Sequence, residues 1–204
     1  MYYNHSMIRA IRSLSQRRRK IEGAKSALSV SAAENYGLDL QNHLLSFFDK
    51  CKNVLGAALD WGRLDMGQRK THIKQVFKYM LKFRQSKYDA KLTFGGTHSS
   101  KGVLGSATED EVTIYDAAIE SDDYEKVMDA TVHEFGHTRQ LKNAETTLSK
   151  DAVKIAAENY IDPSECIEGY RDNLLEEETR IIARTASNGL WQNLFKMSCH
   201  QRAA

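Results

Sequence analysis

The chain has almost no proline. Pro163 is the only one in 204 residues, so Asp162-Pro163 is the one break that proline enforces. Cysteine is also scarce: Cys51, Cys166 and Cys199 are odd in number and far apart. That excludes a disulfide framework and any zinc site built on paired cysteines, and it suits a reducing compartment. No apolar run is long enough to cross a membrane. The opening stretch, MYYNHSMIRAIRSLSQRRRK, lacks the unbroken apolar core of a secretory signal. Internal repeats and low-complexity tracts are missing too. Net charge is small, +2, but it is unevenly spread. Residues 1–101 hold 19 Lys/Arg against 7 Asp/Glu, and residues 102–204 hold 10 against 20. The simplest consequence is that the two halves attract each other, so nucleic acid is not an expected partner.

What is present is mostly helical periodicity. Residues 6–28 repeat apolar positions at three- and four-residue spacing, with Arg17-Arg-Arg-Lys20 on the outer side. Leu38 to Leu59 predicts a second helix punctuated by Gly37 and Gly62, and Met66 to about Tyr88 a third. His43 and His72 fall on these helices as polar-face residues. The period then changes. Ala90 to Phe94 and Glu111 to Tyr115 alternate as strands, Val103-Leu104 is a candidate short strand, and Gly105 to Asp110 reads as a turn. Gly95-Gly96 with Ser99-Ser100-Lys101 lacks the spacing of a phosphate loop. Lys150 to Tyr160, Ser164 to about Ala186 and a last segment around Leu190 to Met197 complete a helical C-terminal part, with Tyr160 a core residue. The expected whole is one helix-rich α+β domain over 1–204. It has a helical layer in 1–88, a small sheet and a central helix in 89–143, and helices in 144–204.

The chemistry concentrates in His133-Glu134-Phe135-Gly136-His137. A helix running from the strong start Ser121-Asp122-Asp123 to about Asn143 puts His133 and His137 on one face, where both imidazoles can hold one metal ion. Glu134 lies beside that face as the general base for a metal-activated water. This is the zincin arrangement, with Zn2+ as the cofactor. Two His leave zinc short of a usual catalytic set of three protein ligands. Gln140 and Asn143 stand where a third-His motif needs Gly and His, so the third ligand must come later. Leu174-Leu-Glu-Glu-Glu-Thr-Arg-Ile-Ile182 supplies it. On a helical wheel the apolar positions centre on Glu178, Glu177 lies at their rim, and Glu176 points away, which leaves Glu177 and Glu178 as rival ligands. Tyr170 and Glu177, seven apart, are nearly eclipsed, so the tyrosine hydroxyl can reach bound substrate. Asp129 is a candidate to orient His133, four residues on. Arg180 and Arg184 read as ion-paired residues near the cleft.

HEFGH, Tyr170 and Leu174-Leu175-x-Glu177-x-x-Arg180 together resemble the peptidase domain of anthrax lethal factor and the Pro-Pro endopeptidases of that fold. The resemblance spans roughly residues 90–190. It implies a zincin-like metalloprotease with a sheet over the active-site helix, and Glu177 as third ligand, forty residues beyond His137. It also implies Tyr170 as oxyanion stabiliser and a protein or peptide substrate bound as an extended strand. Val112 to Tyr115 or Val103-Leu104 would be the receiving edge. A monomer is expected, made in the cytoplasm without a classical signal and secreted or injected as an effector or toxin that cuts a target-cell protein. The alternatives are a processing or regulatory peptidase of its own cell, and an inactive zincin scaffold that binds a partner. Intact Glu134 and Tyr170 argue against the last.

Overall fold

The computed structural model describes residues 29–85, 89–96, 102–142, 148, 150–158, 160, 165 and 173–203. The expected helix over 6–28, the basic run Arg17 to Lys20, Ser99 to Lys101, Cys166, the Pro163 break and Tyr170 lie outside the described residues.

Helix α1, Val30–Lys50, starts eight residues before its expected position because Ser29 caps it, its Oγ accepting from the Ala32 amide. Ala33, Tyr36, Leu40, Leu44 and Phe48 form its buried stripe. The expected single helix breaks at Cys51, and α2 takes Lys52–Leu59. Gly37 does not end a helix. It lies inside α1, where an added Cβ would stand 2.7 Å from Thr185 Cβ, so it is a point of close approach. Helix α3, Met66–Met80, opens on a capping box: Gln68 N donates to Asp65 Oδ1 and Asp65 N donates to Gln68 Oε1. It stops short of Tyr88, followed by a 3-10 turn, Phe83–Gln85.

The sheet holds β1 (Lys91–Phe94), β2 (Gly105–Ala107) and β3 (Glu111–Ile114) in the order β1-β3-β2. β1 runs parallel to β3 and β2 antiparallel to it. Gly105 is therefore the start of a strand and not a turn. Val103-Leu104 only leads into it, with the Leu104 carbonyl accepting from Tyr115 N. Val112 and Ile114 alternate inward from the central strand. A short helix α4, Asp116–Ile119, leads to α5, Tyr124–Leu141, whose N-cap is Asp123. Arg69, almost fully buried on α3, holds that junction. It donates to the Leu64, Ile119 and Glu120 carbonyls and pairs with Asp122.

Helix α6, Lys150–Glu158, packs Ala152, Val153 and Ala156 against Leu174 and Leu175. Helix α7 is Leu174–Ser187, not the expected Ser164 to Ala186. Asn173 is its N-cap, in extended conformation (φ −70°, ψ 137°), accepting from Leu175 N and donating to the Ala156 carbonyl. Helix α8 is Leu190–Ala203. Buried side chains from Ala33 on α1 to Leu194 on α8 form one cluster, and α7 is wedged between α1 and α5. Gln41 on α1 donates to the Ala186 and Asn188 carbonyls, satisfying the open end of α7. No helix among the described residues is long and apolar enough to cross a membrane.

His72 is a correction. It is a core residue, 2% exposed, with Nε2 on the Tyr124 hydroxyl at 2.8 Å and the Trp61 ring edge beside it. Burial lowers its pKa to about 4. The fold favours the neutral ring, so its contribution is complete above pH 6.5 and is lost as pH falls from there towards 4. At about 1.4 kcal/mol per unit, that window removes roughly 3 kcal/mol. Urea unfolding at pH 7 and pH 4 should show this loss shrinking by about that amount in His72→Gln. An unchanged pH dependence would contradict it.

Candidate metal centre

Helix α5 brings its two histidines to the sheet side of α7, and α7 supplies the carboxylate that completes the group. The approach of the two helices is set by Gly136. A Cβ there would lie 2.8 Å from Thr179 Cγ2 and would push α7 away. Because α7 starts at Leu174, Glu176 falls in its first turn, where the helix dipole favours a carboxylate.

Glu176 is the residue that meets the histidines. Its Oε2 lies 3.2 Å from His133 Nε2 and its Oε1 3.1 Å from His137 Nε2. The two Nε2 atoms are 3.0 Å apart, with the rings nearly perpendicular at 86°. The side chains are secluded, at 14% exposure for His133, 13% for His137 and 2% for Glu176. Metal bonds of about 2.0–2.1 Å in a tetrahedral shell place neighbouring ligand atoms about 3.3–3.4 Å apart. Glu176 turns a different oxygen to each histidine, and one ligand atom from each of the three residues lies within 4.8 Å of the others, close enough to share one ion. Two nitrogens and an oxygen also form a known catalytic zinc donor set, with a fourth position left open. His133, His137 and Glu176 therefore fit a zinc ion.

Burial drives charge off His137, yet hydrogen bonding and charge from Glu176, with Glu134 nearby, reverse this and hold the imidazole protonated up to about 9. Burial alone would raise the Glu176 carboxyl. The hydrogen bonds and charges of His133 and His137 more than reverse it and hold Glu176 far below the usual carboxylate range. The group attracts positive charge into its centre.

Glu134 is 7% exposed and sits under the sheet edge. Burial raises its carboxyl, the neighbouring His133 and His137 charges oppose this, and Glu176 adds to it. An added Cβ on Gly105 of β2 would fall 2.6 Å from Glu134 Cγ and 2.8 Å from the Thr113 carbonyl. Only glycine lets β2 lie this close over the carboxylate. Gly105→Ala should displace Glu134, and if that carboxylate is the general base of a hydrolysis, a misplacement of this kind lowers the rate by up to about 10²-fold. Zinc uptake should be unaffected, because Gly105 faces Glu134. Parallel zinc stoichiometry and hydrolysis assays check it, and an unchanged rate would refute the positioning.

The structure brings His133 and His137 together with Glu134 beside them, and it sets Glu176, not Glu177, against the pair. Glu177 faces outward, its side chain 47% exposed and paired with Arg180 at 3.2 Å. Glu178 is fully buried and bonded to Gln140, away from the histidine pair. Tyr170 lies outside the described residues. Asp129 accepts from Ser187 Oγ at 3.1 Å. Tyr160 is 47% exposed and not a core residue. Val112 to Ile114 is the central strand, so the edge beside Glu134 is β2. The sequence carried a local signal for the helix start alone: Asn173 is a strong N-cap residue, and it begins α7 at Leu174.

No family model, curated protein or solved structure matches the chain.

Proposed function

We propose that the chain is a zinc-dependent endopeptidase. The observation that supports this best is the convergence of His133, His137 and Glu176, with one ligand atom from each within 4.8 Å of the others, beside the buried carboxylate of Glu134. Zinc held there supplies Lewis-acid polarisation of a carbonyl and a water of lowered pKa. Glu134, kept basic by its burial, takes a proton from the attacking water and returns it to the leaving amine. β2 stands at the sheet edge over Glu134, where an extended peptide can add as the next strand. Main-chain hydrogen bonds of that kind hold any sequence, and flanking pockets choose among them. The substrate class is therefore a protein or peptide.

The test is a mixed peptide library incubated with zinc-loaded protein and, in parallel, with chelated protein. The expected result is cleavage at a restricted set of bonds, abolished by the chelator. Zinc binding with no cleavage of any peptide would instead identify a metal-holding scaffold and end the peptidase reading.

A further inference from the structure

Gln140 and Glu178 are polar side chains in the interior, 3% and 0% exposed. Burying an amide and a carboxyl is unfavourable unless they are hydrogen-bonded to a purpose. They come from the two helices that build the metal centre, Gln140 one turn after His137 on α5 and Glu178 two residues after Glu176 on α7. Gln140 Nε2 donates to Glu178 Oε2 at 2.7 Å and to the Leu175 carbonyl at 3.1 Å. Gln140 Oε1 lies 3.0 Å from His137 Nδ1.

These contacts settle the orientation of the amide. The Leu175 carbonyl can only accept, so the group beside it must be the NH2. Its second N–H goes to Glu178. The amide oxygen therefore faces His137 and can only accept, so Nδ1 carries the proton. We propose that Gln140 and Glu178 form a positioning relay, in which Glu178 and Leu175 lock the Gln140 amide so that it fixes the His137 ring and presents Nε2 to the metal. The proposal rests on the metal reading of His133, His137 and Glu176. Glu178, the fully buried member of the glutamate run, acts through Gln140 and not as a ligand. Outer partners of this type orient a metal-bound imidazole and raise its basicity.

Zinc affinity of the full chain, measured by competition with a chromogenic chelator, tests it. Gln140→Met keeps the volume and removes the acceptor, and should weaken binding by about 10–100-fold. Glu178→Leu should weaken binding in the parent but add little in the Gln140→Met background, because its effect on the His137 ring passes through the amide. Glu178→Gln, which still offers an oxygen to Gln140, should restore most of the affinity. Two-bond 1H–15N correlation of the unaltered, zinc-loaded chain should show His137 protonated at Nδ1 and metal-bound at Nε2, a result independent of how any variant folds. Parent-like affinity in folded Gln140→Met, additive effects in the double variant, or Nδ1 ligation would each overturn the relay. Failure of the unaltered chain to bind zinc would overturn the metal centre and the relay with it. Equal zinc affinity in the parent and in Gln140→Met would overturn the relay alone.

Discussion

Glu134→Gln should lower peptide hydrolysis by roughly 10²–10⁴-fold with zinc still bound. The substitution removes basicity and little else. Glutamine has nearly the same shape, so the close contact beneath Gly105 persists. Glu134 is not among the three groups that meet at the metal position, so metal affinity should stay near that of the parent. The loss corresponds to about 3–5 kcal/mol of transition-state stabilisation, at 1.36 kcal/mol per tenfold. It is read as kcat/KM on a peptide that the parent cleaves, with zinc content and thermal midpoint as controls. Retained hydrolysis in a zinc-loaded, folded variant would remove Glu134 from the chemistry.

Glu176→Ala and Glu177→Ala should behave in opposite ways despite adjacent positions. Glu176 places one carboxylate oxygen against each histidine, so its loss should weaken zinc binding by more than the roughly 10–100-fold typical of outer partners. Glu177 is half exposed and, among the described residues, is paired to Arg180 three residues on, an arrangement worth about 0–1 kcal/mol to stability. Glu177→Ala should leave zinc affinity near that of the parent. Isothermal titration of both variants decides between them. Loss of zinc in Glu177→Ala with retention in Glu176→Ala would mean that α7 is rotated from the orientation described here.

The difference between neighbouring glutamates shows which features a sequence carries openly. His133, Glu134 and His137 follow from local spacing on one amphipathic helix, and Asp123 as the N-cap of α5 follows from local chemistry. The strands β1 and β3 were legible from alternation. Glu176 was not, for two reasons. The apolar stripe of Leu174, Leu175, Ile181 and Ile182 was read as the single buried face of a long helix. In the fold α7 is buried on two sides, with Thr185 against Gly37 of α1 and Thr179 against Gly136 of α5. A helix with two buried faces has no single stripe to centre on. The helix also begins at Leu174, later than the expected Ser164. Strand order was equally illegible, because nothing local says that β3 lies between β1 and β2. His72 looked like a polar-face residue because its partners, Trp61 and Tyr124, come from other segments.

The metal centre itself is tested most directly by diffraction from crystals of the zinc-loaded chain, recorded on both sides of the zinc absorption edge. The expected result is one anomalous peak about 2.0–2.2 Å from His133 Nε2, His137 Nε2 and a Glu176 carboxylate oxygen. A peak bound through Glu177 or Glu178, or no peak between the two histidines, would contradict it.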